Sequence, residues 1–201
     1  MLPVKSKYKI AKRLGAGIFE QTQTQKFAFS EARAKKERRG GRGGSDFGRQ
    51  LLEKQRIRYT YGLSEKQLSN YAQAAIGHKD PTGDLHRSLE MRADSVLYRA
   101  GFSPTRRAAR QAVSHGHVKV NGVKITRPSH RLKAGDKVEV REGVRSSSLY
   151  ASLAEKEDKR PVPQWLTVDA NLLTIEVTGE PHYNQVEAGL DYSTLFEFYS
   201  R

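Results

Sequence analysis

The residue types that could carry catalysis do not fall at catalytic spacings in this chain. The Gly-Ala-Gly run at 15–17 begins like a phosphate-binding loop, but Glu20 stands where a third glycine is required. His115 and His117 are close enough to suggest a metal, yet two imidazoles without a third ligand nearby make a poor site. Cysteine is absent, which removes thiol nucleophiles and cysteine-ligated zinc. The sequence therefore predicts no catalytic residue, no metal and no cofactor.

Glu90 and Asp94 are the carboxylates whose spacing could imitate an acid–base pair. They stand four residues apart in a predicted helix, and Arg92 lies near both. Four-residue spacing puts two side chains on one helix face, where a neighbouring arginine favours a structural ion pair over catalysis. We therefore expect a protein that is not an enzyme.

Basic residues supply the positive signal. The chain has 36 Lys and Arg against 22 Asp and Glu, for a net charge of +14, and the excess lies in the first 160 residues, whereas 161–201 are acidic. This split is typical of a protein with one surface turned towards a polyanion. Nucleic acid is the commonest polyanion for such a chain.

A predicted helix over 105–116 concentrates this charge on one face. Arg106, Arg107 and Arg110 share an arc of roughly 100° at the helical period, opposite the apolar side of the helix. We expect the apolar side to dock on a core. The three guanidinium groups are then expected to point into solvent, where they are free to reach phosphates.

After this helix the hydrophobic period changes to that of strands. Apolar residues alternate with Lys119 before Asn121-Gly122 and with Lys124 after it. Asn-Gly between alternating runs is the strongest short signal of a β-hairpin. Lys119, Lys124 and the histidines His115 and His117 extend the predicted basic surface, although the histidines are equally compatible with a plain turn.

Further helices are predicted on the N-terminal side from their end signals. One runs from Asp46 to Tyr61 behind the N-cap candidate Ser45, and Ser64 with Gln67 forms a capping-box pattern at the start of the next. A third is expected as a continuous helix through 89–100. The cations of the first helix are candidate contacts to nucleic acid: Arg49, Lys54, Arg56 and Arg58.

Residues 1–44 show no sustained helical or strand period. They end in a glycine-spaced arginine cluster of Arg38, Arg39 and Arg42, in which glycine gives freedom and arginine gives phosphate contacts. The sequence predicts a flexible basic arm here, with order beginning at Ser45. The chain also has no apolar run long enough to span a membrane, so no membrane partner is expected.

A series of motifs follows in order along the chain: Ser-Asp-Phe-Gly at 45–48, Glu-Lys-Gln at 53–55, Tyr-Gly-Leu-Ser-Glu-Lys-Gln at 61–67, Leu-Glu-x-Arg-x-Asp at 89–94, Thr-Arg with Ala-Arg-Gln at 105–111, Val-Ser-His-Gly-His at 113–117, Val-Asn-Gly at 120–122 and Glu-Phe-Tyr-Ser-Arg at 197–201. These motifs resemble the family of the fourth protein of the bacterial small ribosomal subunit. The resemblance covers about residues 45–201 and is specific, because both the order and the spacing of the motifs agree.

The resemblance implies an α+β fold, with a mostly helical domain and a small RNA-binding module of two helices on a short antiparallel or mixed sheet. It places the module at 91–155 and divides the helical domain between 45–90 and 156–201, behind the arm at 1–44. The predicted RNA-binding residues are Arg49, Lys54, Arg56, Arg58, Arg92, Arg106, Arg107, Arg110, His115, His117, Lys119 and Lys124.

The family's members bind small-subunit ribosomal RNA early, nucleate assembly of the subunit body and help to line the path by which messenger RNA enters. The resemblance therefore implies ribosomal RNA, neighbouring small-subunit proteins and messenger RNA as partners, with Arg38, Arg39 and Arg42 at the messenger path. It implies a place in a cytoplasmic ribosome, and an organellar ribosome stays open. The alternatives are an RNA-modifying enzyme built on the same module, which the short flanking segments disfavour, and a free RNA chaperone, which the motifs at 45–67 disfavour.

Overall fold

The computed structural model describes residues 4, 6–37, 45–147, 150 and 161–200, and they form the α+β fold that the sequence predicts. The chain divides into a helical unit, Met1–Leu85 with Asn184–Arg201, and a second unit, His86–Tyr183, that carries a sheet. The helices, in chain order, are α1 (Lys7–Leu14), α2 (Gln25–Glu37), α3 (Asp46–Thr60), α4 (Glu65–Ala75), α5 (Pro81–Glu90), α6 (Ala93–Arg99), α7 (Arg106–Ser114), α8 (Glu142–Arg145), α9 (Gln185–Ala188) and α10 (Tyr192–Tyr199). Among these helices, none has the length and hydropathy needed to cross a membrane.

The starts of α3 and α4 follow their capping residues. The Ser45 hydroxyl accepts a hydrogen bond from the Gly48 backbone N–H at 3.2 Å. Ser64 and Gln67 form the predicted capping box: the Ser64 hydroxyl accepts from the Gln67 N–H at 3.2 Å, and the Gln67 side chain accepts from the Ser64 N–H at 3.0 Å. Each cap satisfies helix-end N–H groups that have no partner inside the helix.

The helix α10 docks on α3 and α4. Tyr192 and Leu195 are fully buried, and the Tyr192 hydroxyl lies 3.2 Å from that of Tyr61. The Tyr199 hydroxyl donates to a Glu65 carboxylate oxygen at 3.0 Å. Residues 192–199 therefore form part of the helical unit.

Residues 6–37 are structured, so the prediction of a flexible arm over 1–44 is wrong for most of its length. α1 and α2 close over a small core in which Ala11, Phe19 and Phe27 are buried. Burial of these side chains from water stabilises the segment as part of the helical unit.

No helical period is visible over 6–37 because short turns interrupt the helices of this segment. Two short 3-10 turns, Ala16–Ile18 and Glu20–Thr22, separate α1 from α2. The buried aromatic residues therefore come from a turn and a helix rather than from one repeating face. The arginine–glycine run at 38–44 lies outside the described residues.

In the second unit, α6 and α7 pack on one face of an antiparallel sheet. Its inward-facing residues, including Val118, Val138 and Ile175, are buried in one core with Val96 and Val113 of the helices. Within the described residues the strands are β1 (Val118–Val120), β2 (Val123–Ile125), β3 (Lys137–Val140), β4 (Leu166–Asp169) and β5 (Thr174–Val177), in the order β2-β1-β3-β5-β4.

The sheet is larger than predicted, since β4 and β5 extend it beyond residue 155. β5 pairs with β3, placing Ile175 opposite Val138, and β4 pairs with β5. The assignment of all of 156–201 to the helical domain is therefore wrong, because residues up to Tyr183 belong with the sheet. The alternating pattern at 173–177 predicts a strand, but the pattern alone cannot say which sheet the strand joins.

A break at Met91 and Arg92 replaces the continuous helix expected over 89–100. Arg92 is extended, with φ −74° and ψ 143°. The Met91 carbonyl accepts from the Leu132 N–H at 2.8 Å, and the Ala93 N–H donates to the His130 carbonyl at 2.9 Å. These bonds satisfy backbone groups at the break. Glu90 and Asp94 consequently lie on different helices, α5 and α6.

Candidate nucleic-acid interface

The β1–β2 hairpin places two lysines directly opposite each other. The register pairs Lys119 with Lys124, while the flanking Val118 and Ile125 face the core. Because side chains alternate along a strand, both lysines lie on the sheet face opposite α6 and α7. Glu139, opposite Lys119 on β3, is ion-paired with Lys137 at 3.2 Å. In the described part of the chain neither Lys119 nor Lys124 has an ion pair.

Like charges directly opposite on neighbouring strands destabilise a hairpin. A bound anion removes this repulsion, so the Lys119–Lys124 pair favours a negatively charged partner. The hairpin that the Asn121-Gly122 signal predicts is confirmed, and Asn121 has a positive φ of 49° and Gly122 one of 80°. This turn fixes the register, and the register brings the two lysines together.

The side chain of Lys124 packs against Gly116, which follows the end of α7. Its φ is +69°, and a Cβ at this position would collide with Lys124 Cε. The methylene chain of Lys124 therefore crosses the glycine backbone. This packing holds the Lys124 side chain beside the residues that flank Gly116 in the chain, His115 and His117.

The two histidines adjoin the lysine pair and contact each other edge-to-face. Their ring centroids lie 5.7 Å apart at 69°, and His117 also meets Tyr150 edge-to-face at 6.3 Å. Burial lowers the pKa of His117 below its usual 6.5, and His115 and Arg141 lower it further. Burial also raises the pKa of Tyr150 to about 12. No group of His, Asp and Glu in the described ranges could hold a metal ion.

Arg141 is a cation of this surface that the sequence reasoning missed. Its backbone N–H donates to the His117 carbonyl at 2.8 Å, and its charge acts on the His117 ring. It directly follows β3, so continuing the strand register would have placed it beside His117. We call His115, His117, Lys119, Lys124 and Arg141 the hairpin surface.

The arginines of α7 are not the solvent-facing groups that the sequence predicts. Arg106 donates to Glu90 at 3.0 Å and to the Ser95 hydroxyl at 3.1 Å, and its side chain is only 14% exposed. Arg110 donates to Asp94 at 2.9 Å and is 13% exposed. The expectation that both are free for phosphates is therefore wrong. Arg107, on the same helix, is partly exposed.

The physical reason is that buried carboxylates must be neutralised by nearby cations. Glu90 is 1% exposed and accepts a bidentate pair of hydrogen bonds from Arg99, at 2.8 and 2.9 Å, besides the bond from Arg106. Burial alone would raise the pKa of Glu90, but Arg106 and Arg99 outweigh it and hold that pKa well below the usual range.

Arg92, another predicted RNA contact, is likewise internal. It is 3% exposed and binds Asp94 through two hydrogen bonds of 2.9 and 2.8 Å. The structural ion pair predicted for Arg92 is therefore present with Asp94. The helix break places Glu90 and Asp94 on different helices. Glu90 is paired with Arg99 and Arg106 instead of sharing Arg92 with Asp94.

The predicted contacts on α3 are also engaged within the protein. Lys54 is 7% exposed, lies 2.8 Å from Glu65 and sits over the Phe198 ring at 4.1 Å. The remaining cations of this helix pair with acidic neighbours: Arg49 with Asp46, Arg56 with Glu53 and Arg58 with Glu65. Lys54 and Arg58 are thus held in ion pairs of the helical unit, whereas the side chain of Arg49 remains 74% exposed beside Asp46.

The loop over 126–133 presents exposed cations that the sequence reasoning passed over. Arg127, Arg131 and Lys133 are exposed, and the loop is fixed to the break between α5 and α6 by the backbone bonds of His130 and Leu132. A dense run of cations between two predicted strands was the signal available. Arg38, Arg39 and Arg42 lie outside the described residues.

The second unit has helices on one sheet face and, on the other, two adjacent lysines without an ion pair among the described residues. In a chain of net charge +14 this arrangement is that of a nucleic-acid-binding protein. Two family models match this chain. The S4 domain matches residues 91–138, and the ribosomal protein S4/S9 N-terminal domain matches residues 4–91.

Similar proteins agree with the family models. Three relatives are small ribosomal subunit proteins uS4. The protein of Borrelia turicatae is 37% identical over 98% of this chain and 96% of its own length. The protein of Lachnospira eligens is 40% identical over 83% of this chain and 85% of its own length, and the protein of Nocardia farcinica is 44% identical over 78% of this chain and 79% of its own length. The chain belongs to the uS4 family. The family consists of structural ribosomal proteins rather than enzymes, as the sequence predicts.

Proposed function

We propose that this chain is a structural constituent of the small ribosomal subunit that binds small-subunit ribosomal RNA through the hairpin surface. The observation that carries the proposal is the Lys119–Lys124 pair, two like charges held opposite each other without an ion pair in the described residues. RNA phosphates supply the missing negative charge, and neutralising them releases counterions from the RNA. His115 and His117 border the lysine pair, and Arg141 adds a further positive charge beside His117.

The test is the double variant Lys119→Gln with Lys124→Gln in the full chain, assayed on small-subunit ribosomal RNA. Affinity falls as salt rises, so the slope of log affinity against log salt is negative. If each lysine neutralises one phosphate, the variant makes this slope shallower by about 1.8. Because the change removes like-charge repulsion, the melting temperature should hold or rise. Lys66→Gln with Lys79→Gln, which removes two exposed charges elsewhere, is the matched control. Unchanged affinity and slope in the hairpin variant would refute this surface.

We further propose that Arg38, Arg39 and Arg42 contact messenger RNA on its way into the subunit. The support is a glycine-spaced arginine cluster directly before α3. Glycine lets the backbone approach RNA closely, and arginine binds phosphate with a forked pair of donors. Reversing all three charges to Glu is expected to slow the unwinding of structured messages on assembled cytoplasmic subunits. Full unwinding by that variant would mean that the three arginines do not contact messenger RNA.

Neighbouring ribosomal proteins are the third class of partner that we propose. A polar pocket of about 480 Å³ in the helical unit is lined by Asp46, Arg49, Gln50, Glu53, Asp191, Thr194 and Glu197. Within the described residues, the buried Gln50 side-chain oxygen has no hydrogen-bond partner, although the Gln50 amide nitrogen donates to Glu197 at 3.0 Å. A hydrogen-bond donor of a neighbouring protein would satisfy this oxygen.

A further inference from the structure

The helix α1 carries a basic face that neither the motifs nor the hairpin surface includes. Lys9, Lys12 and Arg13 stand at i, i+3 and i+4, which at 100° per residue places them within an arc of roughly 100°. All three are exposed. In the ranges that the structure describes, none of them has an ion pair or a side-chain hydrogen bond.

The cations of α3 in the same unit behave differently. Lys54 and Arg58 share Glu65, and Arg56 pairs with Glu53. Their charge is therefore partly compensated within the protein, whereas the charge of α1 has no acidic partner among the described residues. Lys12 and Arg13 also lie in the last turn of α1, where the helix dipole favours cations, but at an exposed position that interaction is weak and is screened by salt. It leaves the ammonium and guanidinium donors open to solvent.

The opposite side of α1 is fixed to the protein, so the basic face is held in place. Ala11 is fully buried and Leu14 is 7% exposed, and both point away from the arc of Lys9, Lys12 and Arg13. Ala11 belongs to the core that includes Phe19 and Phe27. A partner that binds the basic face therefore does not have to order the helix first, which lowers the entropic cost of binding.

An aromatic side chain borders this face. Tyr8, four residues before Lys12, is 57% exposed, and one side of its ring packs on Phe27 with centroids 6.0 Å apart. A fixed and exposed ring next to cations is the combination that stacks on nucleic-acid bases while the cations bind phosphates.

We propose that Lys9, Lys12 and Arg13 form a second RNA-binding surface, which holds backbone phosphates of small-subunit ribosomal RNA with Tyr8 against a neighbouring base. The proposal rests on the proposed function of the chain as a binder of that RNA. It assigns the RNA contact of the helical unit to α1 instead of α3. The apolar face of α1 is occupied by the core, so the surface offers charge and one ring rather than an apolar groove.

The test compares Lys9→Gln with Lys12→Gln, in the full chain, against the control Lys66→Gln with Lys79→Gln. Both doubles remove two exposed charges from the helical unit. The α1 double is expected to lower the salt slope of ribosomal RNA binding by about 1.8, and the control to leave it nearly unchanged. Helix content by circular dichroism should match the parent in both. Equal slopes for the α1 double and the control would overturn the proposal, since net charge alone would then explain the effect.

A second pair of variants separates this inference from the proposed function. Arg56→Gln removes a cation of α3 and should change the salt slope less than Lys12→Gln does; the reverse order would return the contact to α3. If the α1 double binds normally while Lys119→Gln with Lys124→Gln does not, the inference fails and the proposed function stands. If neither double changes RNA binding, both fail.

Discussion

Glu90 and Asp94 hold their negative charge inside the second unit, where α6, α7 and Arg92 supply the compensating guanidinium groups. Removing one partner of a buried ion pair strands the other and costs about 3–5 kcal/mol. The arginines of α7 are therefore structural first. Any effect of their removal on RNA binding has to be separated from unfolding.

Arg106→Ala is expected to destabilise the protein by about 1–3 kcal/mol, because Glu90, at 1% exposure, would lose one charge-assisted hydrogen bond while keeping its pair with Arg99. Urea unfolding measures this directly. Arg127→Ala, which truncates an exposed arginine of the loop, is the control and should stay within about 0.5 kcal/mol. A similar small change for Arg106→Ala would mean that the pair with Glu90 is not formed in solution.

The charge of Glu90 also predicts how stability depends on pH. Its folded-state pKa lies below the ordinary value of 4.5, so the unfolded chain takes up the proton first as pH falls. The stabilisation is complete above pH 4.5 and is lost progressively as the pH falls below it. The carboxyl carbon resonance of Glu90 should accordingly remain that of a carboxylate at pH 4. Titration at or above 4.5 would contradict the buried network.

Periodicity could predict the positions of the α7 arginines on the helix but not their partners. Their arc of roughly 100° is real, yet Glu90 and Asp94 lie 16 residues earlier in the chain than Arg106 and Arg110. Whether a cationic face meets solvent or buried carboxylates is decided by tertiary packing. For this reason, cations on one face of a helix predict a binding surface less well here than cations on the exposed face of the sheet.

At the level of elements, the hairpin is the part that local sequence determines most fully. Asn121-Gly122 sets the turn, the turn sets the register, and the register pairs Lys119 with Lys124. The capping box of α4 is local in the same sense. The segment 6–37 could not be predicted in this way, because two short turns break its pattern and its core forms only when α1 and α2 meet.

Gly116→Ala and Gly122→Ala form a matched pair that tests the packing of Lys124. Both glycines have positive φ, so each substitution costs about 1–2 kcal/mol of backbone strain. A Cβ at Gly116 would also strike Lys124, whereas one at Gly122 would meet nothing within 4 Å. Gly116→Ala should therefore weaken RNA binding more than Gly122→Ala at similar cost in stability. Equal RNA affinity for the two variants would remove Lys124 from the interface.

On the scale of the whole chain, charge is distributed unevenly over the surface. On the outward face of the sheet, β1 and β2 carry Lys119 and Lys124, whereas β4 and β5 carry Asp169 and Glu176. RNA is therefore expected at the β1–β2 end of the sheet. The acidic composition of 161–201 predicted an uneven surface, but the place of β4 and β5 beside β3 depends on long-range pairing that no local pattern contains.

Sedimentation of the full chain with ribosomal subunits tests the central claim most directly. Tagged protein is mixed with small-subunit ribosomal RNA and the other small-subunit proteins, and the assembled particles are separated on a gradient over a series of salt concentrations. The parent protein should move with the small subunit, and Lys119→Gln with Lys124→Gln should dissociate from it at lower salt. A parent protein that stays at the top of the gradient at every salt concentration would contradict its place in the small subunit.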